Sequence, residues 1–480
     1  MALVFLVPVS SCTNDNTSEE VKESSDVSKF IWYGLHDYYL WYTEVPELQT
    51  SKYKTLDDLY RFLNQYTDYE QLFYGLLYQY GTVDKWSFIV DDYTLLEQIL
   101  SGISKSMGFD YNLYRMGNSD DLFGVVRYVL EGSPADLAGI KRGDIFIRVN
   151  GQDLTVSNYR SLLFGLESYS ISFAYIEGNT IYPNNVTRNL TAVEIQEDPV
   201  YYWTVLDLNG VPTGYLVYNA FTSDFDGRLN DVFGDMKTAG VQKLILDLRY
   251  NGGGAITSAI NLASMIYTTD ESNLFSRISY NDKLQAYITG LYGDEYFNVR
   301  FTDSLLTASD ANPTVPINTL NLADLYVITT NGTASSSELL INGLEPYMNV
   351  TVIGEDTYGK YVGSITLKDY DNNGTLNPSH KWGMQPIVLK IANSEGVSDY
   401  VNGLPADEKV SEDITSMLPF GDVNETLLAA VISRITGAKK SIQAAAPYWQ
   451  GLERVADSKD IRPFGKEMYL KGMPRIINSR

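Results

Sequence analysis

Three consecutive serines, Ser335, Ser336 and Ser337, stand in the stretch NGTASSSELL (331–340), followed by Glu338 and an apolar run. A serine hydroxyl is a weak nucleophile until a neighbouring base takes its proton. The whole chain holds only two histidines, His36 and His380, so a Ser-His-Asp arrangement is poorly supplied. Another base lies downstream, where GEDTYGK (354–360) ends on Lys360. Burial disfavours an ammonium and lowers a lysine pKa, which fits such a side chain for general-base work. Ser-Lys pairs are a variant of triad logic and need no histidine. Each half alone has a plainer reading. Ser335 to Glu338 fits the S-x-x-E capping box of a helix that buries Leu340, Leu344 and Tyr347, and a lone lysine beside a glycine is ordinarily a solvated charge. The two readings of the serines are compatible, because free N–H groups at a strand-to-helix turn can also hold an oxyanion.

The elements that must carry these residues alternate in type. Strand-like TGYLVYNAF (213–221) precedes a helical segment ending near Gly240, and KLILDLRY (243–250) runs into NGGG and a further helical segment. DLYVITTNG (324–332) leads into the serines, and NVTVIGE (349–355) leads toward Lys360. Apolar strands alternating with helices imply a largely parallel buried sheet. It would place Lys360 at the mouth of the strand beside the one that delivers the serines. Residues 270–322 are irregular and polar and read as an insertion or lid.

Upstream, residues 28–106 have a helical pattern, with Ile31, Leu35, Tyr38 and Tyr42 recurring on one face. His36 lies inside that aromatic helix and reads as a packing residue. Residues 107–180 alternate strand-like runs with glycine-punctuated turns. There EGSPADLAGIKRGDIFIRVNG (131–151) resembles a PDZ domain of bacterial processing proteases. The resemblance implies capture of a peptide C-terminus by strand addition, with a loop at Met107–Asp110 holding the carboxylate. Gly108 and Phe109 match that loop's glycine-hydrophobic turn in part.

Three further stretches, LILDLRYNGGG (244–254), GTASSSELLINGL (332–344) and VIGEDTYGK (352–360), resemble peptidase family S41, the C-terminal processing proteases. With the PDZ-like run and NSEGVSDYVNGLPAD (393–407), the similarity covers roughly 107–437. What the resemblance implies is specific. Ser335 is the nucleophile and Lys360 the base, while the N–H of Ser336 and that of Gly253 or Gly254 form the oxyanion hole. The family places a lysine-orienting glutamine four residues after the lysine; Ser364 stands there instead. No metal or cofactor is implied. DYDNNG (369–374) opens like a calcium loop, but its twelfth position is His380 rather than a glutamate, so a hairpin turn is the better reading.

Composition sets the outer bounds. The chain has 480 residues, 44% hydrophobic and 20% charged, which suits several globular domains. Its net charge of −24 argues against binding a phosphate backbone. Cys12, the one cysteine, follows the apolar run MALVFLVPVSS and precedes a polar acidic stretch. This resembles the end of a bacterial lipoprotein signal, although no basic residue precedes the run; a short buried strand is the alternative. Sequons such as those at Asn185 and Asn331 would carry no glycan in such a protein.

The expectation is a multidomain α/β protein: signal remnant and acidic tether (1–27), helical domain (28–106), PDZ domain and connection (107–188), crotonase-like S41 core (189–437) and a C-terminal tail (438–480). Its function would be cleavage of unfolded or C-terminal protein segments at the cell envelope, with a lipid anchor on Cys12 holding it to a membrane. A non-catalytic binder of peptides or apolar ligands on the same fold is the first rival. A surface lipoprotein handling glycans is the second.

Overall fold

The computed structural model describes residues 21–306, 315–371, 373–438, 449, 452–461 and 465–471. Cys12 and the apolar run before it lie outside these residues.

The N-terminal region begins with the helix Asp26–Tyr38, whose first turn is capped by Ser25 accepting the Ser28 N–H. Its apolar face is the expected one: Ile31 and Leu35 are fully buried. Helices Leu56–Leu63 and Tyr69–Gly75 complete that core, and the strand Phe88–Val90 pairs with Gly383–Gln385 of the core domain. His36 stacks on Trp32 with ring centroids 4.8 Å apart.

The PDZ region is a sheet in the order Phe109–Arg115, Leu122–Val129, Ile145–Val149, Ser168–Glu177, Thr180–Thr191, with neighbours antiparallel. Its short helix Pro134–Leu137 starts on Ser133, which accepts the Asp136 N–H. The free edge of Phe109–Arg115 is taken by Arg454–Asp457 of the tail, running antiparallel.

In the core domain, Val200–Leu208 and Val211–Tyr218 form an antiparallel pair. From Val211–Tyr218 onward, Lys243–Asp247, Asp324–Thr329, Asn349–Gly354 and Glu408–Lys409 are added in parallel. These strands are apolar almost throughout because both faces are covered: Leu244, Ile245 and Leu246 are fully buried. Helices Ile256–Ile266 and Ser336–Leu344 pack on one face, and Thr426–Thr436 covers the other. A second sheet runs in the order Gly254–Ala255, Met468–Leu470, Val362–Ile365, Ile387–Asn393, Leu274–Tyr280, Asn298–Arg300.

Two outcomes were not legible in the sequence. Within the expected lid, residues 274–300 are regular: Leu274–Tyr280 is an inner strand of the second sheet, and helix Asp282–Tyr292 docks on the N-terminal region. Asn281 Nδ2 donates to the carbonyls of Asp37 and Tyr39 at 3.1 and 3.0 Å, so polar residues that suggested a loop are capping and bridging groups. The tail, for its part, supplies strands to two different sheets.

Candidate active site

Ser335 sits at the turn between the strand Asp324–Thr329 and the helix Ser336–Leu344, with φ at +66° and ψ at −117°. A non-glycine residue in that region is strained, and such strain concentrates at functional turns. Of the two reciprocal bonds of a capping box, Glu338 Oε2 accepts the Ser335 N–H at 2.7 Å. The geometry of the other half is present, but Ser335 Oγ is buried and makes no full hydrogen bond among the described residues. A buried hydroxyl left unpaired is costly for the fold, so capping alone does not account for the turn.

The glycine turn lies directly against it. A Cβ on Gly253 would stand 2.6 Å from Ser335 Cβ and 3.0 Å from Ser335 Oγ, and φ there is +109°, so only glycine fits. The neighbouring serines lock the two turns together: Ser336 Oγ donates to Gly254 O at 2.8 Å and Ser337 Oγ to Asn251 O at 3.1 Å. The Gly253 N–H donates to Asn251 Oδ1 at 2.9 Å. Ser336, Gly253 and Gly254 thus gather around Ser335.

Lys360 is fully buried. Its backbone N–H donates at 2.9 Å to the Glu338 Oε2 that also holds Ser335, while Glu338 Oε1 accepts from Thr357 Oγ1 and the Gly359 N–H. One carboxylate therefore ties the Ser335 turn to the Lys360 turn. Burial pushes that carboxyl up to about 7 against the four donors that favour its ionised form. Lys360 Nζ donates at 2.8 Å to Lys466 O and at 2.9 Å to Glu467 Oε2, both from the tail. Burial lowers the lysine's pKa below its usual value, with Glu467 opposing; burial likewise raises the Glu467 carboxyl. Ser364 is placed behind this pair. Its hydroxyl donates to Glu467 Oε2 at 3.3 Å and accepts from Gln385 Nε2 at 3.0 Å, so it reaches the lysine through Glu467.

Behind the glycine turn is a buried ion network. Arg142 of the PDZ region donates to the Tyr250 hydroxyl at 2.8 Å and to Glu412 at 2.9 Å. Arg249 joins Asp247, Glu412 and Glu425. Burial opposes the ionised Glu412, but Arg142 and Arg249 outweigh it and bring its carboxyl down to about 2. Tyr250 immediately precedes Asn251, so the network anchors the start of the glycine turn from the PDZ side.

The PDZ residues divide. The Gly108 N–H donates to Ser106 Oγ at 3.0 Å, and its carbonyl accepts from Leu130 N–H and Ser133 Oγ, so Gly108 shapes the loop. Phe109 lines a cavity of about 690 Å³ with Met107, Leu163, Phe164 and Tyr169. That cavity runs on to Gly252, Gly253 and Gly254 and is walled by the tail at Ser458, Ile461, Glu467 and Tyr469. Sequence reasoning missed Glu467, which lies 107 positions from its lysine partner with no motif around it. It saw Glu338 only as a cap; the short Ser335–Glu338 spacing gave no hint of the bonds to Thr357, Gly359 and Lys360.

Similarity to known proteins covers the N-terminal, PDZ and core regions. Residues 212–384 match the model of peptidase family S41, 26–88 the peptidase S41 N-terminal domain, and 125–166 a PDZ domain. The carboxy-terminal processing protease CtpA of Bacillus subtilis (strain 168) is 24% identical over 298 residues, 62% of this chain and 55% of that protein. A CtpA-like protein of Staphylococcus aureus (strain N315) is 25% identical over 260 residues, 53% of this chain and 45% of that one. The chain thus spans about half the length of the curated relatives it matches. A crystal structure of an S41-family protein of Bacteroides fragilis NCTC 9343 superposes with a TM-score of 0.61 at 27% identity, covering 87% of this chain and 98% of the other. On these matches, residues 212–384, which carry the turns that converge at Ser335, form a peptidase S41 domain, accompanied by an S41 N-terminal domain and a PDZ domain.

Proposed function

We propose that this protein is a serine endopeptidase that cleaves unfolded or C-terminal protein segments through an acyl-enzyme on Ser335. One observation carries the reading: a strained, buried serine with an unpaired hydroxyl abuts a glycine turn and shares a carboxylate with the turn that bears Lys360. In the mechanism, neutral Lys360 Nζ takes the Ser335 proton as Oγ attacks the carbonyl carbon. The Ser336 N–H and an N–H of the glycine turn hold the oxyanion. As the C–N bond breaks, the Lys360 ammonium returns its proton to the leaving amine. Water then attacks the acyl-enzyme with Lys360 again as base, and the acid product departs. The PDZ region would supply the substrate by strand addition. The five parallel-connected strands support the crotonase-like core that the resemblance implies.

The test is hydrolysis of an unstructured peptide by wild type and by Ser335→Ala, with a fluorophosphonate probe reporting Ser335. Loss of hydrolysis and of labelling in Ser335→Ala supports the reading; equal hydrolysis by both rejects it. A binding protein without catalysis is the competing reading, and under it neither protein hydrolyses the peptide. We also propose a cell-envelope location through lipid on Cys12. With a full-length upstream start, a lipid precursor should label the wild type and leave Cys12→Ala unlabelled.

A further inference from the structure

The tail follows the glycine turn residue by residue. A Cβ on Gly252 would meet the Gly465 carbonyl at 2.1 Å, and one on Gly253 would meet the Glu467 carbonyl at 2.7 Å. Gly254 and Ala255 then pair in parallel with Met468 and Tyr469. On its other side the same short strand pairs with Ser364 and Ile365 just beyond the lysine. The tail therefore lies as an extended peptide between the turn that abuts the nucleophile and the strand that follows the base. Both hydrogen bonds of the Lys360 ammonium go to it. Ser335 Oγ meanwhile has no hydrogen-bond partner among the described residues.

Further upstream the tail treats the PDZ region in the same way. Arg454, Ala456 and Asp457 pair antiparallel with Tyr114, Leu113 and Asn112 on the strand that leaves the Gly108–Phe109 turn. Ser458 donates to Asp110, and Ile461 enters the PDZ core. Strand addition at a sheet edge is how a peptide ligand is held by such a domain. Each contact in the core groove is short, with two register pairs on either side of Met468–Leu470, which suits a segment that can be displaced.

We propose that residues 452–461 and 465–471 occupy, from within the chain, the track that an extended peptide takes across the PDZ edge and the active-site groove, and that this segment must leave before Lys360 can serve Ser335. The groove takes an extended peptide whose apolar side chains follow the residue facing the lysine, as Met468 and Tyr469, both buried, follow Glu467. The catalytic arm of this inference rests on the peptidase reading; the binding arm does not.

The binding arm uses a fluorescein-labelled peptide of sequence Gly-Lys-Glu-Met-Tyr-Leu-Lys in a Ser335→Ala background. Glu467→Lys sets two ammonium groups against each other and should expel the segment; Glu467→Gln should loosen it. Labelled peptide is expected to bind Glu467→Lys saturably and at least tenfold more tightly than the parent, with Glu467→Gln between them. Equal affinity for all three, or no binding to any, overturns the inference. With Ser335 restored, Glu467→Lys and Glu467→Gln should hydrolyse peptides several-fold faster than wild type. Folded variants that are slower than wild type overturn it, because the segment would then be working machinery. Where the peptide binds as expected but no variant hydrolyses peptide or takes up fluorophosphonate, the peptidase reading fails and the groove assignment stands. If neither variant folds, hydrogen exchange on wild type decides: excess peptide should deprotect residues 465–470, and unchanged protection overturns the inference.

Discussion

Glu338 Oε2 accepts the Lys360 N–H at 2.9 Å, and the same oxygen accepts the Ser335 N–H at 2.7 Å. The register of Lys360 against Ser335 thus depends on one buried side chain. Glu338→Gln replaces one acceptor oxygen with a donor that must face an N–H or the Thr357 hydroxyl. Misplacing a reacting group by about 1 Å can cost ~100-fold in rate. We expect kcat to fall by that order, with fluorophosphonate labelling of Ser335 slowed alongside it while the far-ultraviolet circular dichroism stays near wild type. A variant with unchanged kcat would show that the carboxylate does not set the register.

Gly253→Ala should be more severe than an ordinary turn substitution. The added methyl falls within 3.0 Å of Ser335 Cβ and Oγ and of the Glu467 carbonyl, and it must adopt a positive φ. Hydrolysis should drop below detection while far-ultraviolet circular dichroism stays near wild type. Gly240→Ala, where a Cβ meets nothing within 4 Å, is the control for positive φ alone.

The Lys360–Glu467 pair should behave as a unit in unfolding. Lys360→Met leaves Glu467 buried without its partner, and breaking a buried pair this way costs about 3 kcal/mol or more. Adding Glu467→Gln should restore most of that loss. Urea denaturation of both single variants and the double variant measures it; additive losses would mean the pair is not coupled.

The rate should rise with pH. Burial holds the Lys360 pKa below the usual lysine value, and under the proposed mechanism Lys360 works only when neutral. The midpoint of the rise should therefore lie below about 10.4, the unperturbed lysine value. Replacing His36 and His380 together should leave this profile in place. A profile that moved with those histidines would reject Lys360 as the base.

Acid should unfold the protein partly through Glu412. Its carboxyl lies at about 2 in the fold, against an ordinary 4.5. Because the folded value is the lower one, the stabilisation is complete above 4.5 and is lost as pH falls toward 2. Its size is on the order of 3 kcal/mol. Arg142→Met should shrink that acid loss in urea titrations and destabilise the protein at neutral pH. An unchanged pH dependence would remove Arg142 as the partner that matters.

The sequence by itself determined much of this protein. Apolar runs at 243–250, 324–332 and 349–355, each ending in a small-residue turn, were enough to order the strands and to set Ser335 and Lys360 on adjacent strand ends. That is local information, since strand pattern, turn residues and capping serines are written within a few positions of each other. The region 270–322 escaped because its polar residues, Asn281 among them, meet partners in the N-terminal region 240 residues and more away. The partner of Lys360 escaped for the same reason. Nothing local marks Glu467, and Ser364 met the lysine only through it. Which strand fills the gap between Gly254–Ala255 and Val362–Ile365 is decided by the chain folding back on itself. Such long-range closure depends on which distant surfaces fit, and no periodicity within a short segment encodes that.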